Sequence, residues 1–149
     1  MSARWIAPAE SPRAGAGTGP GDAAARSALN QVAAEQRLEK IVAQQGRAAE
    51  LEAAEDWPAA VRQYEALLAL DPTLGSAKQG LNRARQRAEL AAALAETIAN
   101  ADALNEERKW QAARSLADRA RQAKPVGPVL AAQIASLERA LTVASVPVQ

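Results

Sequence analysis

The segment from Ala48 to Pro72, AAELEAAEDWPAAVRQYEALLALDP, has the pattern of two helices joined by a tight turn. Asp56 suits the N-cap of the second helix, because its carboxylate can accept unpaired N–H groups of the first turn. Pro58 follows in that first turn, where a missing N–H matters little. The proline at the end of the segment pushes the residue before it out of the helical region. We therefore expect a helical hairpin whose second helix spans 57–70.

The second helix of this hairpin has one apolar face, because apolar residues recur at three- and four-residue spacing. The residues of that face are Ala60, Tyr64, Leu67, Leu68 and Leu70. A matching stripe on the preceding helix consists of Ala48, Leu51 and Ala54. Small residues at Ala48 and Ala60 allow the two backbones to approach closely. The two stripes therefore predict a pair of packed helices.

These residues resemble the tetratricopeptide repeat over the length of the segment. The resemblance lies in Ala60, Tyr64, Leu67-Leu68 and the terminal Leu70-Asp71-Pro72, with Ala48 at a small position of the first helix. The segment departs from the family at Leu67, which replaces the usual alanine, and at Gln44 and Arg47, where large apolar residues are usual. The pattern along the chain predicts an all-α fold of about five helices, two of them long. The resemblance implies that TPR-like hairpins stack in a right-handed array.

The hairpin pattern occurs a second time after a shift of 53 residues. This shift pairs Trp57 with Trp110 and Pro72 with Pro125, whereas the 34-residue period of the tetratricopeptide family pairs unrelated residues. The repeat is therefore longer than that of the family. We expect the additional residues to lengthen the helices between the two hairpins.

The composition indicates an all-α protein with a thin core. Hydrophobic residues make up 48% of the chain, but 40 of the 149 residues are alanine and Phe is absent. Alanine is the best helix former, and its small side chain favours closely spaced helices. The chain lacks Cys and His, which excludes disulfides, thiol chemistry and nearly all soft-metal sites.

Three segments of different character follow one another along the chain. We expect a disordered Pro/Gly/Ala-rich arm at 1–21, a TPR-like helical domain at 22–142 and an extended tail at 143–149, where β-prone residues prevail. The expected helices are at about 23–54, at 57–70, from about 74 to a kink or turn between Asn100 and Lys109, from there to about Ala123, and from Gly127 onward.

The two ends of the chain suggest a fragment of a larger protein. Arg4-Trp5-Ile6 resembles the flank of a membrane helix, because Trp favours the membrane interface. The β-prone tail resembles the start of a strand. We expect a soluble periplasmic or cell-envelope part of a membrane-anchored bacterial protein, with the cytoplasm as the alternative and no direct membrane insertion within this chain.

No residue pattern supports catalysis. A nucleophile needs an adjacent base, and His is absent. The acidic pairs Glu55-Asp56 and Glu106-Glu107 lie at helix starts, where carboxylates stabilise the helix dipole. No Gly-rich loop follows a strand, and no metal-ligand spacing occurs. We therefore expect a protein that is not an enzyme and that has no catalytic, cofactor or metal site.

The expected role is a non-enzymatic scaffold for a protein or peptide partner. The resemblance implies a concave surface formed by Val42, Gln45, Ala49, Glu52, Ala95, Ile98, Asp102 and Asn105. The basic residues Lys78, Arg83, Arg85 and Arg87 are a candidate patch for an acidic partner, with a solvated helix face as the other interpretation. Net charge is only +1 and aromatics are few, so nucleic acid is not expected.

A structural role is the alternative function. In that role the chain is a helical stem or oligomerisation module that links a membrane anchor to a C-terminal β-rich domain. The long helices and both chain ends favour it. Self-association separates the two functions, because a stem that oligomerises forms a stable dimer without a partner.

Overall fold

The computed structural model describes residues 20–145, and within them the chain is all-α. Its elements are α1 (Pro20–Ala53), α2 (Trp57–Leu70), α3 (Gly75–Ala99), a 3-10 helix (Ala101–Asn105), α4 (Glu107–Gln122) and α5 (Pro128–Ser145). The five helices confirm the predicted all-α class, and α1 and α3 are the two long ones, whereas the right-handed stacking of TPR-like hairpins stays a prediction. The predicted break between Asn100 and Lys109 is the 3-10 helix and the residue after it.

The helix ends follow from the residues at them. The Asp56 carboxylate accepts the N–H of Ala59 at 3.3 Å and caps α2. The helix stops before Asp71, whose backbone is extended. Asn100 ends α3, and its side-chain amide donates to the carbonyl of Glu96 at 2.9 Å. These observations confirm the helix ends predicted at Asp56, Asp71 and Asn100.

The structure differs from the sequence-based prediction at both ends of the described chain. α5 continues through Ser145, so Val143 to Ser145 are helical rather than extended. One apolar stripe, from Leu130 to Leu141, holds this helix against its neighbours, and the last turn continues it. α1 already includes Pro20 and Gly21, which we had placed in the arm. The remainder of the predicted arm and residues 146–149 lie outside the described residues.

The chain divides into two units, residues 1–43 and residues 44–149. The described part of the first unit is the N-terminal portion of α1. Large apolar side chains on it are exposed, with Leu29 at 69% and Val42 at 66%. Residues 44–149 form the second unit, which contains the packed helices.

Within the second unit, α2 packs along α3 through a close approach at Gly80. A Cβ at this position would overlap the ring of Tyr64, so the glycine makes room for the aromatic side chain. Small and apolar side chains of α1, α2 and α3 are buried, among them Ala48, Ala60, Leu67, Ala77, Leu81 and Ala84. This thin layer agrees with the alanine-rich composition.

A second cluster joins α3, the 3-10 helix, α4 and α5. Its buried members are Leu94, Leu104, Ala113, Leu116, Ala117, Ala120, Leu130, Leu137 and Leu141. Leu94 and Leu137 are fully buried. Since α3 contributes both to this cluster and to the interface with α2, it is the central helix of the unit.

The turn between α1 and α2 also contacts α5. Glu55 has a positive φ of 57°, which is unusual for a residue with a side chain and costs about 1 kcal/mol. Its carboxylate accepts the N–H of Val129 at 2.8 Å and of Leu130 at 2.9 Å, in the first turn of α5. A Cβ on Gly127 would overlap this carboxylate. Glu55 therefore caps a helix more than 70 residues away.

Candidate functional site

An open groove lies between α3 and α4 in the second unit. Residues near Asn100 lie opposite Lys109, and residues near Arg83 lie opposite Lys124, so the two helices run antiparallel along it. Its basic section has a volume of about 560 Å³ and its distal section about 370 Å³. Ala93 and Arg119 line both sections, so we treat them as one α3–α4 groove.

Helical spacing brings the lining residues of the groove to one side of each helix. On α3 they recur at three- and four-residue intervals from Arg83 to Asn100, and on α4 from Lys109 to Gln122. Leu90, Ala93 and Ala123 supply apolar surface in the basic section. Such a mixture of apolar and polar groups is typical of binding sites.

The basic section carries an excess of positive charge. Its charged lining residues are Arg83, Arg87, Arg119 and Lys124, against the single carboxylate of Glu89. Among residues 20–145, Arg119 and Lys124 have no carboxylate within ion-pair distance. The distal section is more evenly charged, with Lys109 and Arg119 beside Glu96. An anionic group is therefore favoured in the basic section.

Arg87 is the buried cation of this section, with 6% of its surface exposed. Its guanidinium lies over the ring of Trp57, 4.7 Å from the centroid, and Nη1 donates to the carbonyl of Pro125 at 2.8 Å. Burial lowers the pKa of Arg87, and Glu55 and Glu52 oppose that effect from a distance. Within residues 20–145 no carboxylate is hydrogen-bonded to it, which is uncommon for a buried charge.

Arg83 lies at the edge of the groove and is bound to α1. Its Nη2 donates to the Glu52 carboxylate at 2.7 Å and to the hydroxyl of Tyr64 at 3.2 Å. Tyr64 in turn donates to Glu52. Burial raises the pKa of Glu52, but the hydrogen bonds from Arg83 and Tyr64 outweigh it and hold the pKa below the ordinary value. Burial and the Glu52 carboxylate raise the pKa of Tyr64.

The predicted concave surface is not the lining of this groove. None of its eight residues lines either section. Gln45, Ala49, Ala95, Asp102 and Asn105 are exposed, whereas Glu52 is held by Arg83 and Ile98 packs against the second cluster. Val42 is exposed in the first unit. For the eight residues, the partner-binding role remains a prediction.

The predicted basic patch is divided by the structure. Arg83 and Arg87 line the groove, whereas Lys78 and Arg85 do not. Arg85 is exposed and pairs with Glu65 at 3.4 Å. Arg119 and Lys124 take their place, and the sequence analysis missed both. The available signal was the basic last turn of α4, which faces the same region once α3 and α4 are paired as an antiparallel hairpin.

The described residues offer little for other kinds of site. No group of three or more His, Cys, Asp or Glu in residues 20–145 is placed to hold a metal ion. In the same range, none of the helices combines the length and the apolar character that crossing a bilayer requires. Neither a protein-family model, nor a curated protein, nor a solved structure matches the chain.

Proposed function

We propose that this chain is a non-enzymatic protein–protein interaction scaffold that binds a peptide segment of its partner in the α3–α4 groove. The helices are proposed to stack in the right-handed manner of tetratricopeptide repeats. The groove itself is the observation that carries the proposal. Its two sections fall within the size range of binding sites, and together they follow α3 and α4 over several turns, as a bound peptide requires.

A peptide-display selection against the full chain tests this function. Enriched peptides are then measured on variants that fill the groove at exposed positions, Gln86→Trp in the basic section and Ala112→Trp in the distal section. The matched control is Ala95→Trp, which is exposed on α3 outside the groove and belongs to the predicted concave surface. We expect both groove variants to weaken binding at least about tenfold and the control to leave it unchanged.

The outcomes separate the proposed site from the proposed function. Loss of binding in Ala95→Trp alone would move the site to the predicted concave surface. If no peptide is enriched above an unrelated helical protein of similar charge, the scaffold function is wrong. Circular dichroism of each variant confirms that the helices are retained.

The structural stem remains a second candidate, and the exposed apolar residues of α1 favour it. The exposed apolar residues of the first unit are Leu29, Val32, Leu38 and Val42. Helices in proteins gain most of their stability from the packing of an apolar face. We expect sedimentation to show a concentration-dependent dimer if this surface self-associates. The double variant Leu38→Glu with Val42→Glu would then be monomeric, while a wild type that is monomeric at all concentrations would exclude the oligomerisation module and leave only a monomeric spacer.

A further inference from the structure

We propose that the basic section of the α3–α4 groove binds an acidic segment of the partner protein. This inference rests on the proposed function and adds the chemistry of the bound peptide. The carboxylates of the peptide lie against Arg119 and Lys124, and one of them approaches Arg87. Apolar side chains between them contact Leu90 and Ala93.

The distribution of charge is the first reason. The chain as a whole carries a net charge of only +1, yet four cations and a single carboxylate line this section. Local concentration of one sign in a cleft attracts the opposite charge more strongly than the same residues dispersed over a flat surface. Because Arg119 and Lys124 have no ion pair within residues 20–145, binding an anion does not require an internal pair to break.

Arg87 is the second and independent reason. Buried charges in proteins are normally paired with an opposite charge, but Arg87 has a backbone carbonyl and the face of Trp57 as its partners. These contacts orient the guanidinium without neutralising it. It also lines the groove, so a carboxylate of a bound segment supplies a directly hydrogen-bonded counter-ion, whereas Glu52 and Glu55 act on Arg87 only from a distance.

The dimensions indicate a peptide rather than a small ion. From Arg83 to Ala93 the section follows α3 over roughly 15 Å, at about 1.5 Å per residue. This length matches four to five residues of an extended peptide, at about 3.3 Å each. Neither section is lined by an aromatic side chain on which a base could stack, which disfavours single-stranded nucleic acid.

Fluorescence polarisation with defined probes tests the inference on the full chain. The probe is a labelled peptide in which glutamate alternates with leucine, and the comparison peptides carry glutamine or lysine in place of glutamate. We expect only the glutamate peptide to bind. Its affinity should fall as the salt concentration rises to about 0.5 M, because salt then screens most of the attraction between the charges.

Charge reversal locates the site. The variant Arg119→Glu with Lys124→Glu changes two exposed residues of the groove, and the control Arg108→Glu with Arg139→Glu makes the same change in net charge at exposed residues elsewhere. We expect the groove variant to bind the glutamate peptide about tenfold more weakly or worse, and the control to bind within about twofold of wild type.

Three results overturn the inference. In the first, the glutamine peptide binds as tightly as the glutamate peptide, and the groove-filling variants abolish the binding of both. This result preserves the scaffold function but excludes specificity for acidic peptides. In the second, both charge-reversal variants weaken binding equally, which assigns the effect to net charge. In the third, an oligothymidine of similar length binds as tightly as the glutamate peptide and loses affinity in Arg119→Glu with Lys124→Glu, which makes the groove a general polyanion site. Absence of binding by every peptide in this assay and in the display selection contradicts the scaffold function itself.

Discussion

The two corners that precede α2 and α4 differ in what covers their tryptophan. At the first corner, residues 54–57, Trp57 is 3% exposed and lies under Arg87 from another helix. At the second corner, residues 106–110, Trp110 is half-buried and lies beside Arg114, one turn further along its own helix. Its indole N–H donates to the carbonyl of Leu141 at 3.0 Å. The first corner is therefore a junction of several helices, and the second is more local.

The difference arises from residues that the 53-residue shift does not reproduce. The shift carries Glu55 to Arg108, Arg87 to Ala140 and Gly80 to Gln133. These residues connect the first corner to α3 and α5, and Arg108, Ala140 and Gln133 cannot make the same contacts at the second corner. The internal similarity thus extends to helices and turns, whereas the long-range contacts differ, since the second corner has the hydrogen bond from Trp110 to Leu141 instead.

The largest expected effect comes from removing each tryptophan in turn. Trp57→Ala should lower the free energy of unfolding by about 3–5 kcal/mol, as for other buried aromatic side chains. Trp110→Ala should lower it by about 2 kcal/mol, because only part of the ring is buried and one hydrogen bond is lost. Urea denaturation followed by circular dichroism measures both. Equal losses would mean that the two corners are equivalent.

A smaller effect on stability is expected from replacing Gly80, which makes room for the Tyr64 ring. Gly80→Ala should destabilise the chain by about 1–3 kcal/mol, because its Cβ would overlap the Tyr64 ring. The matched variant Gly75→Ala places its Cβ in open space on the same helix and should be neutral or stabilising by up to about 1 kcal/mol. The same denaturation experiment compares them. A neutral Gly80→Ala would contradict the close approach of α2 to α3.

The capping of α5 by Glu55 is expected to contribute about 1 kcal/mol to the free energy of unfolding. Glu55→Ala removes two charge-assisted hydrogen bonds to the first turn of that helix, and loss of a cap has this magnitude. Arg108→Ala is the control, because it changes the equivalent residue of the second corner. Hydrogen exchange should become faster at Val129 and Leu130 in the first variant and stay unchanged in the second. If Glu55→Ala leaves these two amides protected, the cap lies elsewhere.

The smallest effect concerns pH. The pKa of Glu52 lies below its ordinary value of 4.5 in the folded chain, so its contribution to stability is complete above that pH. It is lost as the pH falls below 4.5 toward the folded pKa. In Glu52→Gln, the free energy of unfolding should therefore fall less between pH 4.5 and lower pH than it does in wild type. The difference should be up to about 1 kcal/mol, since the ion pair of Glu52 with Arg83 is partly exposed. Parallel curves for the two proteins would contradict the shift.

The sequence was sufficient to predict the helices and most of their ends. Capping by Asp56, the breaks at Asn100 and Pro125 and the apolar stripes depend on neighbouring residues, which a local pattern records. It failed at Val143, where β-prone residues continue a helix because the packed stripe of α5 outweighs local propensity.

The candidate site was only partly predictable for the same physical reason. Arg83 and Arg87 stood out as a charge cluster on one helix, but Arg119 and Lys124 reach them only through the pairing of α3 with α4. Glu55 looked like an ordinary acidic residue at a helix start. Its role depends on contacts with Val129 and Leu130, which no local pattern can reveal.

The Glu55 contact has a consequence for the order of folding during synthesis. The turn that contains Glu55 leaves the ribosome well before Val129 and Leu130 have been added to the chain. Until then its carboxylate faces water, and the left-handed backbone of Glu55 is not compensated by the hydrogen bonds to α5. The nascent hairpin is therefore weaker than the same hairpin in the finished protein. Its final stabilisation comes when the last helix emerges.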